Sequence, residues 1–62
     1  MNRIEEELLI QGVTKADLAK RINKSRATIT LYSKNTVQPP LDVLFEIAKT
    51  LHIDPRTLIK VD

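Results

Sequence analysis

The sequence predicts an all-α domain of five short helices, and three observations lead there. Gly12, the stretch from Asn35 to Pro40, and Pro55 are the clear breakers, and they divide the chain into pieces of helical length. Inside those pieces apolar residues recur three and four positions apart, as one face of a helix requires. No convincing alternation of apolar and polar residues marks a strand. Arg26 to Leu31, with two threonines and an isoleucine, is the nearest approach, and a lone strand has nothing to pair with.

The first helix starts at about Asn2, an N-cap residue, and carries Glu5, Glu6 and Glu7 where carboxylates favour the positive end of the helix dipole. Gly12 stops it, and Ile4 and Leu8 give it an inward stripe. The second begins at Thr14, whose Thr-Lys-Ala-Asp start is a shorter-armed relative of the capping box. Leu18, Ala19 and Ile22 share one of its faces. After Asn23 and Lys24, Ser25 caps a third helix with Ile29 and Tyr32 on its buried side. So short a connection makes the second and third helices cross steeply. The loop from Lys34 to Pro40 leads into a fourth helix with the widest apolar face, Leu41, Leu44, Phe45, Ile47, Ala48 and Leu51, which makes it the spine of the core. Asp54 and Pro55 then signal an N-cap and first-turn proline for a short fifth helix holding Leu58 and Ile59.

Sixty-two residues make one domain, residues 1–62, whose stability rests on a plain apolar core. Zero cysteines exclude disulfides and thiolate metal sites, and a single histidine excludes His-based zinc cages. No cofactor, metal or small-molecule ligand is indicated. The start is charged within three residues and the longest apolar run is three residues, so no signal peptide or membrane span is expected and the protein is read as cytoplasmic. Charge is unevenly spread. Lys15 to Lys34 holds six bases (Lys15, Lys20, Arg21, Lys24, Arg26, Lys34) and one acid, a balance of +5, whereas the rest of the chain holds four bases and seven acids, a balance of −3. Such a distribution suits a domain that turns one face to a polyanion, although lysine and arginine also serve simply to solvate helix faces.

The same segment, about residues 14–35, satisfies the geometry of a helix-turn-helix. That motif needs a small residue where the second helix crosses the first, a turn residue tolerant of left-handed geometry, and an apolar anchor on the second helix. Ala19, Asn23 and Ile29 supply these at the right spacing, and Leu18, Ile22 and Tyr32 complete a buried wedge.

Here the chain resembles the Cro/C1-type helix-turn-helix family, the lambda-repressor-like DNA-binding domains. The resemblance covers nearly the whole chain. It rests on Thr14-Lys15-Ala16-Asp17-Leu18-Ala19, Ser25-Arg26-Ala27-Thr28-Ile29, the loop exit at Pro39 and Leu41, Leu44-Phe45-Glu46-Ile47-Ala48-Lys49, and a closing Leu51-His52-Ile53-Asp54. Each piece is weak alone; their order and spacing together are specific. The resemblance implies a compact five-helix domain that binds double-stranded DNA, with the motif's second helix in the major groove and its N-terminal residues at base edges. The residues agree with that placement. With Ile29 and Tyr32 turned inward, Arg26, Ala27, Thr30 and Leu31 face outward. Arg26 suits guanine O6 and N7; Ala27, Leu31 and the Thr30 methyl suit thymine methyl groups. Thr14, Lys15, Ser25 and Thr28, near helix N-termini, and Lys34 and Asn35, past the third helix, are candidates for phosphate. The plainer alternatives are a solvated arginine at 26 and an incidental exposed leucine at 31.

The chain departs from the family pattern in four places. Lys15 stands where relatives usually carry a glutamine that bridges phosphate and recognition helix; lysine holds phosphate only as a point charge. Asn23 replaces the usual turn glycine. Thr36, Val37 and Gln38 are uncharged where relatives often place bases, which thins the phosphate footprint. Glu7 falls where an inward apolar residue is expected, while Leu9 and Ile10 fall where relatives tend to be charged. Either a small register adjustment buries Leu9, or Leu9 and Ile10 form an exposed patch for another chain. The family commonly acts as a two-fold dimer on palindromic half-sites, and Leu9, Ile10, Ile59 and Val61 are the candidates for a homodimer contact.

These readings converge on a sequence-specific transcriptional regulator, a repressor that occludes a palindromic operator. Catalysis is not expected: His52 with Asp54 is the only titratable pair in sight, and both are better read as helix-end groups. The rival is a protein-interaction or antitoxin-like module that uses the same fold, favoured by the acidic first helix and the Leu9/Ile10 patch. RNA binding is disfavoured because Tyr32 and Phe45, the aromatic residues, are both assigned to the core.

Overall fold

Each α-helix of this chain ends in the same way, and those ends set how the helices turn on one another. The computed structural model describes residues 1–59. Along them run α1 (Ile4–Gln11), α2 (Lys15–Arg21), α3 (Arg26–Ser33), α4 (Leu41–Thr50) and a single 3-10 turn at Pro55–Leu58. A left-handed residue follows every α-helix: Gly12, Asn23, Asn35 and His52, with φ of 68°, 57°, 60° and 58°. Around each, two N–H groups fold back on the helix's last carbonyls. Gly12 N–H and Val13 N–H donate to Leu9 and Leu8, Asn23 and Lys24 to Lys20 and Ala19, Asn35 and Thr36 to Tyr32 and Leu31, His52 and Ile53 to Lys49 and Ala48. This is the Schellman pattern, which satisfies carbonyls that helix geometry leaves without partners.

Of the three non-glycine residues there, the two asparagines are the side chains best suited to left-handed backbone, and histidine is also enriched there. His52 is exposed, so its side chain gains little from packing. Replacement of His52 by glycine is expected to raise stability by about 0.5 kcal/mol, the backbone strain relieved less the entropy glycine adds to the unfolded chain. A urea titration reads that difference, and a loss of stability would show that the imidazole makes a contact of its own.

The helix starts follow the sequence signals closely. Thr14 Oγ1 accepts the Asp17 N–H at 3.0 Å and Ser25 Oγ accepts the Thr28 N–H at 3.1 Å. Asn2 differs in detail. Arg3 occupies the cap position of α1 without a side-chain bond, and the Asn2 carboxamide, one residue further back, accepts the Ile4 N–H at 3.1 Å.

Ile4, Leu18, Ile29, Ile47 and Leu58 are fully buried and link every element into one core with Leu8, Ala19, Ile22, Tyr32, Val43, Leu44, Ala48 and Leu51. Two sequence expectations about that core are corrected. Leu41 and Phe45, assigned to the inward face of α4, are 66% and 52% exposed, and Val43 is buried in their place. The reason is angular. Successive residues turn by about 100°, so Phe45 lies about 160° around the helix from Ile47, and a stripe that includes Val43, Leu44, Ile47, Ala48 and Leu51 excludes it. The fifth helix is likewise only a 3-10 turn, with Thr57 N–H donating to the Asp54 carbonyl at 2.9 Å; Ile59 leaves it in extended conformation and forms an isolated antiparallel bridge with Asn2. The count is therefore four α-helices and one tight turn among the described residues. No register adjustment occurs in α1: Leu9 and Ile10 are 77% and 75% exposed.

At the 3-10 turn, Asp54 Oδ1 caps the Arg56 N–H at 2.9 Å while the Arg56 guanidinium grips both carboxylate oxygens, the shortest contact being 2.7 Å. The Arg56 side-chain bonds, with the backbone bond behind them, lower the Asp54 carboxyl from 3.8 to about 2. A lowered carboxyl stabilises the fold fully above its unfolded value and loses that contribution as the pH falls through the folded one. Acid should therefore loosen this turn between pH 3.8 and about 2. Asp54→Asn should make the melting temperature less sensitive to pH across that window and, because the pair is exposed, added salt should blunt the difference. An unchanged pH profile in the variant would remove Asp54 from the account.

Candidate nucleic-acid interface

The α2–turn–α3 unit is the most extensively packed pair of helices in the molecule. Ala19 is buried on α2, Asn23 makes the left-handed turn, and Ile29 is fully buried on α3, as the spacing of those residues predicts. Ala19→Leu should destabilise the domain by about 1 to 3 kcal/mol, because close-packed helices have no room for the added carbons. Thermal melting tests this, and a fully stable variant would mean the helices cross elsewhere.

Burial of Ile29, Tyr32 and Ser33 fixes the rotation of α3, and Arg26, Ala27 and Leu31 emerge on the exposed side with Thr30 half-buried beside them. Thr30 Oγ1 donates to the Arg26 carbonyl at 3.0 Å, so what the residue offers outward is chiefly its methyl group. Ser25 and Thr28 share a 2.8 Å hydroxyl–hydroxyl bond at the N-terminus of α3, leaving one hydroxyl hydrogen of the two to donate elsewhere.

The bases of the motif divide into two groups. Arg21 is paired with Asp17 at 2.9 Å on its own helix, and Lys15 Nζ is held at 3.1 Å by Glu5 of α1. Lys20, Lys24, Arg26 and Lys34 form no ion pair among the described residues. The phosphate candidates Thr14 and Ser25 are exposed at helix starts, Lys15 is half-buried under its ion pair, and Lys34 is exposed beyond the end of α3. Asn35 is turned back into the protein: its Oδ1 accepts the Asn2 N–H at 2.7 Å and its Nδ2 donates to the Asn2 carbonyl at 3.3 Å. Of the candidate dimer residues, Leu9, Ile10 and Ile59 are exposed, and Val61 lies outside the described residues.

Sequence reasoning missed the long-range partners. Nothing local to Asn2, Glu5 or Gln38 signals that Asn2 meets Asn35 and Gln38 or that Glu5 meets Lys15, because those pairs are separated by 10 to 36 residues.

Short helices around a tightly crossed pair, with an outward face of mixed apolar and cationic residues on the second of them, define a helix-turn-helix DNA-binding domain. The family model described as the Cro/C1-type HTH DNA-binding domain matches residues 3–62, and the chain belongs to that family. It is also similar to the crystal structure of "a putative DNA-binding protein from Bacteroides fragilis", with 40% identity, a TM-score of 0.95 and 97% of each chain covered. No curated protein matches it. Among the described residues no helix is long and apolar enough to cross a membrane, and no group of three or more potential metal ligands occurs.

Proposed function

We propose that this chain is a sequence-specific transcriptional repressor, a cytoplasmic and non-catalytic protein that occludes a palindromic operator as a homodimer. The observation that carries the reading is the outward face of α3. Arg26, with no acidic partner among the described residues, stands beside Ala27, Leu31 and the Thr30 methyl, a set matched to guanine and thymine edges in a major groove. Thr14, Lys15, Ser25, Thr28 and Lys34 then flank that face as phosphate contacts, Lys15 exchanging or sharing its bond to Glu5. Asn35, whose main-chain N–H is bonded to the Tyr32 carbonyl, contributes through its remaining amide hydrogen. Two such faces one DNA turn apart require a dimer, for which Leu9, Ile10 and Ile59 supply exposed apolar side chains, with Val61, outside the described residues, as the fourth candidate.

Selection of bound sequences from a random duplex library at near-physiological salt tests this directly. The expected result is an enriched palindrome. Bulk binding without enrichment, or none, would overturn the reading.

The exposure of Leu9 and Ile10 favours one alternative, a protein-interaction module on the same fold. A salt series separates the two: phosphate contacts make binding fall steeply with salt, whereas an apolar interface changes little.

A further inference from the structure

We propose that Asn2 is a positioning residue for DNA binding, one that locks the end of α3 and the loop behind it into the geometry the duplex meets. The inference rests on α3 being the reading helix. Asn2 is only 4% exposed, and a buried carboxamide is costly unless its polar atoms find partners. All of its groups do. Its N–H donates to Asn35 Oδ1 at 2.7 Å and its carbonyl accepts from Asn35 Nδ2 at 3.3 Å. Its Nδ2 donates to the Tyr32 carbonyl at 2.9 Å and to Gln38 Oε1 at 3.1 Å, while Oδ1 caps Ile4 N–H. Gln38 Nε2 closes the ring by donating to Asn35 Oδ1 at 3.2 Å.

One side of this clamp is anchored. Arg3 N–H donates to the carbonyl of Leu58, a fully buried residue, at 2.8 Å, so the segment before α1 is fastened to the core. The other side is the loop. Thr36, Val37 and Gln38 are all exposed, and apart from main-chain bonds from Thr36 and Val37 to the Leu31 carbonyl, the three carboxamides hold this segment in place. Lys34 lies two residues before it, on the far side of Asn35. Phosphate contacts set the register of a reading helix on the duplex, so a loop that wanders at the end of α3 blurs that register and takes Lys34 with it.

Two variants separate clamping from capping. Asn2→Asp keeps an oxygen for Ile4 N–H and adds a charge favourable at a helix start, but loses the Nδ2 donor. Gln38→Ala removes the loop's own carboxamide from the ring, adds no charge and leaves every residue assigned to the duplex in place. Each is compared with wild type under folded conditions by hydrogen exchange at Thr36 and Val37 and by affinity for a random-sequence duplex of about 20 base pairs, roughly two turns. Both variants should exchange those two amides about tenfold faster while α4 amides change little. Both should bind the duplex about five- to tenfold more weakly, with a salt slope shallower by about 1. Undiminished binding by Gln38→Ala, with wild type binding normally, overturns the proposal alone, and weakening by Asn2→Asp only would trace to its charge and overturn it too. Wild-type protein that binds no duplex overturns the α3 reading and the proposal with it.

Discussion

Ile29→Ala is expected to remove about 2 to 5 kcal/mol of stability and to leave a large fraction of the protein unfolded at room temperature. Ile29 is fully buried on α3 and sits among the residues that hold α3 against α2. Its truncation removes apolar burial and opens a cavity between helices whose ends are pinned by Schellman turns, so collapse around the gap is limited. At roughly 0.05 to 0.15 kcal/mol per residue, a domain this small has about 3 to 9 kcal/mol in total, and the loss is comparable with the whole. Ile29→Val, which deletes one methylene, should cost only about 0.5 to 1.5 kcal/mol. Urea denaturation followed by circular dichroism gives both values. If Ile29→Ala unfolded within 1 kcal/mol of wild type, on the scale of an ordinary surface change, Ile29 would not be the wedge of the motif.

Arg26→Ala should leave stability within about 0.5 kcal/mol, because the side chain is exposed and forms no ion pair among the described residues. Its effect falls on DNA. At a preferred site the variant should lose about 1 to 3 kcal/mol, the value of a two-bond arginine–guanine contact, and should lose far less on sites changed at that base pair. Affinities measured for matched and altered duplexes at one fixed salt concentration decide the point. An equal loss on every duplex would move Arg26 from base reading to phosphate contact and transfer the reading of sequence to Ala27, Thr30 and Leu31.

Helix starts and stops were legible because their causes lie within a few residues. Thr14 with Asp17, Ser25 with Thr28, and Asp54 with Arg56 each form a bond spanning two or three positions, and each was visible as a cap in the sequence. Gly12 and Asn23 were legible as left-handed stops for the same reason. The helix-turn-helix was legible because Ala19, Asn23 and Ile29 answer to a geometry set by one short turn.

The rotation of α4 was not. Its apolar residues exceed what one face can hold, and a pattern that includes Val43, Leu44 and Phe45 in succession offers two stripes of similar strength. Packing against α2 and the 3-10 turn selects Val43, Leu44 and Ile47 and leaves Leu41 and Phe45 outside.

By itself, then, the sequence determined the all-helical class, the element order, the caps at Thr14, Ser25 and Asp54 and the motif, since these follow from backbone chemistry that acts over one or two turns. Tertiary structure alone decided which side of α4 is the core, that Glu5 holds Lys15, and that Asn2 closes on Asn35 and Gln38. Such contacts depend on where packed helices bring distant residues, and hydrogen bonds of about 3 Å reach have no trace in the spacing of the residues that make them.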